Sequence, residues 1–190
     1  MRRLSWEEYF MTVTLDVAKR SSCLSRQVGA IIVKDKRILA TGYNGSPKGI
    51  DTCYDKGFCI RKNSESGQNL DTCYAVHSEM NAILQCAKNG VSCDGATLYV
   101  TTFPCINCMK AIINSGIVKV IYYEDYNAPL SKELAKLSGI ELIDYNSIEG
   151  DDKLLLDWLQ QKFEIYGKSN YIKYVLKKEM QKDLKENKEE

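Results

Sequence analysis

At 190 residues the chain has room for one domain with a real core plus an extension. Hydrophobic residues make up 44% and charged residues 27%, and 26 basic side chains nearly balance 25 acidic ones, for a net charge of +1. That balance excludes the strong positive field that holds a long polynucleotide, and the longest apolar runs are strand-sized, too short to span a membrane. The opening residues, Met1 to Glu8, turn acidic before an apolar run could build a signal peptide, so a cytoplasmic protein is expected. Eight cysteines in that setting argue for metal ligands or reduced thiols rather than disulfides.

In chain order, Ser5-Trp6-Glu7-Glu8 reads as a capping box opening a helix, with Trp6, Phe10, Val13 and Val17 on its apolar face. Val28 to Val33 and Ile38 to Tyr43 read as strands joined by the polar turn Lys34 to Arg37. Gly42 to Gly49 is a loop, and irregular chain is expected from Ile50 to Thr72; so long a stretch needs a function or a clamp. A helix runs from His77 to the Asn89-Gly90 stop, followed by a strand from Ala96 to Thr102. Then come a helix from Cys105 to Ser115, a strand from Ile117 to Tyr123, a helix from Ser131 to Ser138 and a strand from Ile140 to Tyr145. The alternation predicts a three-layer α/β/α sandwich, with a mixed central sheet made of a first hairpin and later parallel crossovers. This domain is expected over 1–150. A helical extension is expected over 151–190, carried by Leu154, Leu155, Trp158, Leu159 and Phe163 and ending in a Lys/Glu tail.

The chemistry is concentrated in His77-Ser78-Glu79 and Pro104-Cys105-Ile106-Asn107-Cys108. His77 is the chain's one histidine. An imidazole and two thiolates hold zinc with one position left open, which distinguishes catalytic from structural zinc. Cys105 and Cys108, three apart at a helix start, share one face and the positive end of the helix dipole. Zinc lowers the pKa of a bound water from about 15.7 to roughly 7, and Glu79 is placed to act as general acid and base. His-x-Glu followed by Pro-Cys-x-x-Cys is a known signature of zinc nucleobase deaminases.

With these residues, the chain resembles the cytidine deaminase superfamily and, within it, the deoxycytidylate (dCMP) deaminases. Arg26 to Ala30, Gly42-Tyr43-Asn44-Gly45-Ser46-Pro47, Val76 to Ile83, Gly95 to Thr101 and Pro104 to Cys108 carry the resemblance, which spans roughly residues 5 to 146. A mild departure is Ser78, where that branch more often has alanine. The resemblance implies hydrolysis of dCMP to dUMP and ammonia for thymidylate synthesis. In such enzymes the Asn44 position bonds the sugar. Arg26 and Ser25 are candidates for the 5′-phosphate, and Tyr122 and Tyr126 for closing over the base or simply packing. The resemblance further implies a homohexamer, activated by dCTP with Mg²⁺ and inhibited by dTTP through a site that includes Gly42, Tyr43, Asn44 and Gly45.

The resemblance also places Cys23 and Cys53 where some viral members hold a second, structural zinc; Cys59 and Cys73 are offered to complete a four-cysteine site. The alternative is four ordinary thiols, and Cys86 and Cys93 read as small fillers. Among rival activities, a tRNA adenosine deaminase fits poorly with the near-neutral charge and the cysteine-bearing insertion. A free-cytidine deaminase usually has cysteine at the position of His77, and riboflavin-pathway deaminases usually carry a fused reductase. A non-catalytic zinc or nucleotide-sensing module is disfavoured by the intact Glu79.

Overall fold

The computed structural model describes residues 3–64 and 68–148; the expected helical extension over 151–190 lies outside them. Ser5 starts the first helix, α1 (Trp6–Ala18), with the expected capping box: its hydroxyl accepts from the Glu8 amide while the Glu8 carboxylate accepts from the Ser5 amide. The buried stripe of α1 differs from the expected one. It comprises Glu8, Phe10, Met11, Thr14, Leu15 and Ala18, whereas Trp6 is exposed and Val13 and Val17 are half-buried. Thr14 enters the core because its hydroxyl donates to the Phe10 carbonyl at 2.7 Å, which satisfies the group that hydropathy counts against it.

The hairpin forms as expected from β1 (Gly29–Lys34) and β2 (Arg37–Tyr43), with Asp35 and Lys36 both at positive φ in a tight two-residue turn. The stretch expected to be irregular contains a short helix, α2 (Cys53–Lys56), opened by a Thr52–Asp55 capping box and closed by Gly57. The later elements alternate as predicted: α3 (Ser78–Asn89), β3 (Thr97–Thr102), α4 (Ile106–Asn114), β4 (Lys119–Glu124), α5 (Pro129–Ser138) and β5 (Glu141–Asp144).

The sheet order is β2-β1-β3-β4-β5. β1 pairs antiparallel with both β2 and β3, while β3, β4 and β5 run parallel, so the sheet is mixed and the fold is the expected α/β/α sandwich. Alternation along the strands divides the core. Ala30, Ile32, Leu98, Val100 and Val120 face a layer containing Ala82, Cys86, Met109, Ile112 and Ala135 from α3, α4 and α5. On the opposite face α1 packs on β1 and β3, with the Phe10 and Tyr99 rings 5.4 Å apart.

Two glycines let helices approach the sheet closely. A Cβ at Gly29 would lie 2.4 Å from the Thr14 carbonyl oxygen in α1, and one at Gly42 would lie 2.2 Å from the Ser78 carbonyl oxygen and 2.5 Å from the Ala82 nitrogen in α3. Gly42 therefore presses the start of α3 against the sheet. Among the described residues, no helix is long and apolar enough to cross a membrane.

Candidate active site

The parallel strands β3 and β4 present their carboxyl ends side by side, the customary ligand position in such sheets. The turn after β3 is fixed there by the Phe103 amide, which donates to the Glu124 carbonyl at 2.8 Å, and by the buried Ser131 hydroxyl, which donates to the Pro104 carbonyl at 2.8 Å. This delivers Cys105 as the N-cap of α4, with Cys108 buried in the first turn. His77 is the N-cap of α3 rather than a residue of its first turn. The His77 side chain makes no cap bond to α3, and the Cys105 thiol is held by Cys108 in the first turn of α4.

Both side chains turn instead toward each other. The His77 Nδ1 lies 3.5 Å from the Cys105 Sγ and 3.4 Å from the Cys108 Sγ, and all three atoms lie within 4.8 Å of one another. The donor set, one imidazole nitrogen and two sulfurs, suits Zn²⁺ and leaves a fourth position free of protein. Hydrogen bonding from Cys108 holds the Cys105 thiol down at about 4, with His77 assisting, while the same contact pushes Cys108 up. The hydrogen bond to Cys105 raises His77 to about 9. The trio thus shares protons that a bound cation would displace.

Glu79 sits in the first turn of α3 and is buried, 4% exposed. Burial raises its pKa, the nearby His77 opposing that shift, and the Cys108 thiol hydrogen-bonds its carboxylate. The neighbouring Ser78 hydroxyl donates to its Oε2 at 2.9 Å. A buried carboxyl that readily takes a proton, set against a metal-ligand trio, is suited to carrying protons.

Asn44, Arg26 and the Gly42–Gly45 segment are joined by hydrogen bonds. The Asn44 amide donates to the Arg26 carbonyl at 2.8 Å, and its Oδ1 accepts from the Val28 amide at 2.8 Å and the Ser21 hydroxyl at 2.6 Å. Asn44 thus stitches the chain before β1 to the end of β2. Arg26 is half-exposed and donates to the Glu124 Oε2 at 2.6 Å, an oxygen that also accepts from the Thr102 hydroxyl at 3.2 Å. Ser25 is exposed beside it. Glu124 and Ser21 escaped the sequence reading: Glu124 stands as one more residue at a strand end, and its partner is 98 positions away.

Gly45 and Val76 exchange two backbone hydrogen bonds, of 3.2 and 2.9 Å, and the Asn81 amide donates to the Tyr43 carbonyl at 2.7 Å. The glycine loop is therefore fastened to the residue before His77 and to α3 itself. Tyr122 packs edge-on against Phe103 with ring centres 4.9 Å apart, and Tyr126 packs against the core, the packing alternative for both.

The four surplus cysteines gather without closing. Burial raises the Cys53 thiol, aided by the nearby Cys23, Cys59 and Cys73 and by a hydrogen bond with Cys59. The Tyr54 amide donates to the Ser22 carbonyl at 3.2 Å, which brings α2 to Cys23, and the Lys56 ammonium stands 4.3 Å over the Tyr74 ring, next to Cys73. Among the described residues, only His77, Cys105 and Cys108 have their ligand atoms drawn to metal-binding distance. Cys86 and Cys93 are buried fillers in hydrogen-bond contact, and burial first, then that contact, pushes Cys86 up to about 12.

Comparison with known proteins agrees with this geometry. Residues 4–124 match the model of the cytidine and deoxycytidylate deaminase zinc-binding region. The chain is 47% identical over 141 residues to ComE operon protein 2 of Bacillus subtilis, covering 74% of this chain and 71% of that one. It is 41% identical over 146 residues to the deoxycytidylate deaminase of Schizosaccharomyces pombe, covering 75% of this chain but only 45% of the yeast protein. The crystal structure of dCMP deaminase from the cyanophage S-TIM5, in complex with dCMP and dUMP, superposes with a TM-score of 0.64 at 29% identity, covering 76% of this chain and 99% of the phage chain. The matched model takes in His77, Glu79, Cys105 and Cys108, and the chain belongs to the cytidine and deoxycytidylate deaminase zinc-binding family.

Proposed function

We propose that the chain hydrolyses dCMP to dUMP and ammonia. The observation that carries this reading is the His77, Cys105 and Cys108 trio with the buried Glu79 against it; similarity to deoxycytidylate deaminases supports the substrate. His77 Nδ1 and the two thiolates would hold zinc, which when bound supplies the Lewis acidity that makes water nucleophilic near neutral pH. Glu79 accepts a proton from the attacking water at its carboxylate and delivers it to the ring nitrogen. It then assists departure of the amino group as ammonia, as the carbon–nitrogen bond breaks and a carbon–oxygen bond remains. Asn44 bonds the sugar, while Arg26 and Ser25 take the 5′-phosphate. The half-exposed guanidinium, paired with Glu124 at the end of β4, supports that assignment.

Several finer features belong to the same reading. Cys23, Cys53, Cys59 and Cys73 hold a second, structural zinc, supported by the gathering of all four thiols around α2. Binding would draw them to the sulfur distances of about 2.3 Å that zinc requires and clamp the long loop. The enzyme works as a cytoplasmic homohexamer supplying dUMP for thymidylate synthesis. dCTP with Mg²⁺ activates it and dTTP inhibits it through Gly42, Tyr43, Asn44 and Gly45.

The deciding assay is ammonia release from dCMP, cytidine, deoxycytidine and a tRNA substrate in parallel. Turnover of dCMP is expected, and activity confined to cytidine or tRNA would overturn the assignment. Elemental analysis should find two zinc ions per chain, falling to one in Cys59→Ser; a single zinc in both proteins would remove the second site.

A further inference from the structure

Ser78 stands between a metal ligand and the proton carrier, and it is fully buried, at 0% exposure. Its hydroxyl donates to the Glu79 Oε2 at 2.9 Å. We propose that Ser78 is a positioning residue for the deamination: its hydroxyl anchors Oε2 of Glu79 and leaves the other carboxylate oxygen to carry the proton. The inference deepens the reading of Glu79 as proton carrier and rests on it.

Three features make the hydroxyl a fixed donor. Ser78 begins α3, so its backbone belongs to the helix. Its carbonyl oxygen lies where a Cβ of Gly42 would come within 2.2 Å, so the backbone is pressed against β2 with no room to shift toward it. Glu79, 4% exposed, is largely shut off from bulk water, and a buried carboxylate depends on protein donors to hold its orientation.

The geometry also divides the labour among three consecutive residues. His77 turns to the cysteines, Glu79 contacts Cys108, and Ser78 bonds Glu79 Oε2. A glutamate has three side-chain torsions, and a proton relay needs one oxygen held in one place through two transfers. An alanine at 78 would fill much the same volume without the donor, so packing alone does not account for the hydroxyl.

The test is Ser78→Ala in the full-length, zinc-loaded protein, with Ser78→Cys as a weaker donor of similar size. For Ser78→Ala, kcat on dCMP is expected to fall about tenfold, with KM changed less than twofold; Ser78→Cys should fall between it and the unsubstituted protein. A second readout needs no turnover. By calorimetry, a deoxynucleotide 5′-phosphate carrying a 4-hydroxy-3,4-dihydropyrimidinone ring, which mimics the hydrated base, should bind Ser78→Ala about tenfold more weakly, while dUMP binds unchanged. Zinc content and melting temperature should stay as they were.

Unchanged kcat and unchanged analogue affinity in Ser78→Ala would overturn the proposal. So would a loss of zinc or of melting temperature large enough to account for the lost activity, which would assign Ser78 to packing. Glu79→Gln separates the two layers: if it retains turnover, the proton-carrier reading fails first. If it is inactive while Ser78→Ala behaves as the unsubstituted protein, only the role of Ser78 falls.

Discussion

The side-chain amide of Asn44 donates to the main-chain carbonyl of Arg26 at 2.8 Å, so the residue proposed for the sugar also fixes the backbone of the residue proposed for the phosphate. The same side chain accepts from the Val28 amide and the Ser21 hydroxyl. Asn44→Ala leaves these groups without their partner in a mostly buried position. It should cost about 2–4 kcal/mol of stability, read by urea unfolding, and raise KM for dCMP. A stable Asn44→Ala protein with unaltered KM would separate the residue from both tasks.

Gly42 sets how closely α3 lies on the sheet. Gly42→Ala inserts a methyl group 2.2 Å from the Ser78 carbonyl and 2.5 Å from the Ala82 nitrogen, both backbone atoms. Overpacking of this kind costs typically about 1–3 kcal/mol, and the helix must move to relieve it. The expected result is a lower melting temperature together with weaker zinc retention against a chelator, because His77 starts the displaced helix.

Glu79 contributes no atom to the His77, Cys105 and Cys108 set. Glu79→Ala should keep zinc by elemental analysis yet lose about 10²- to 10⁴-fold in turnover, the usual share of general acid–base catalysis. Retained ammonia release would reject the carboxylate as proton carrier.

Tyr99 gives the fold an alkaline limit. Burial between α1 and the sheet, 5% exposed, pushes its phenol from 10.0 up to about 12. Because the folded-state pKa is raised, the contribution of the neutral phenol is fully present below about pH 10. It is lost as the pH rises toward about 12, where the unfolded chain has already ionised. Melting temperatures measured from pH 9 to 11.5 should decline, and Tyr99→Phe should flatten the decline relative to the unsubstituted protein.

Much of this architecture was legible because local signals agreed with one another. The Ser5–Glu8 capping box, the β-branched run at Ile31 to Val33 and the Gly90 and Gly139 stops each named an element that formed. The gathering of His77, Cys105 and Cys108 was legible through their spacing at two helix starts. The burial face of α1 was not: Thr14 and Glu8 are buried polar residues whose hydrogen bonds hide them from a hydropathy pattern. Nor was the role of Glu124, since nothing near it in sequence announces Arg26. The short helix α2 depends on a single Thr52–Asp55 cap, too local a signal to stand out in a long polar loop.

His77 and Cys105 stand at the places where a helix usually receives a serine, threonine or aspartate, and neither brings the oxygen such a cap uses. Such a cap is typically worth about 1 kcal/mol, so both helices begin without it, and their starts meet at one point. A metal ion at that point ties the two ends into a single knot. Chelation should therefore be felt first in the opening turns of α3 and α4, as faster amide hydrogen exchange there, while the strands behind them stay protected.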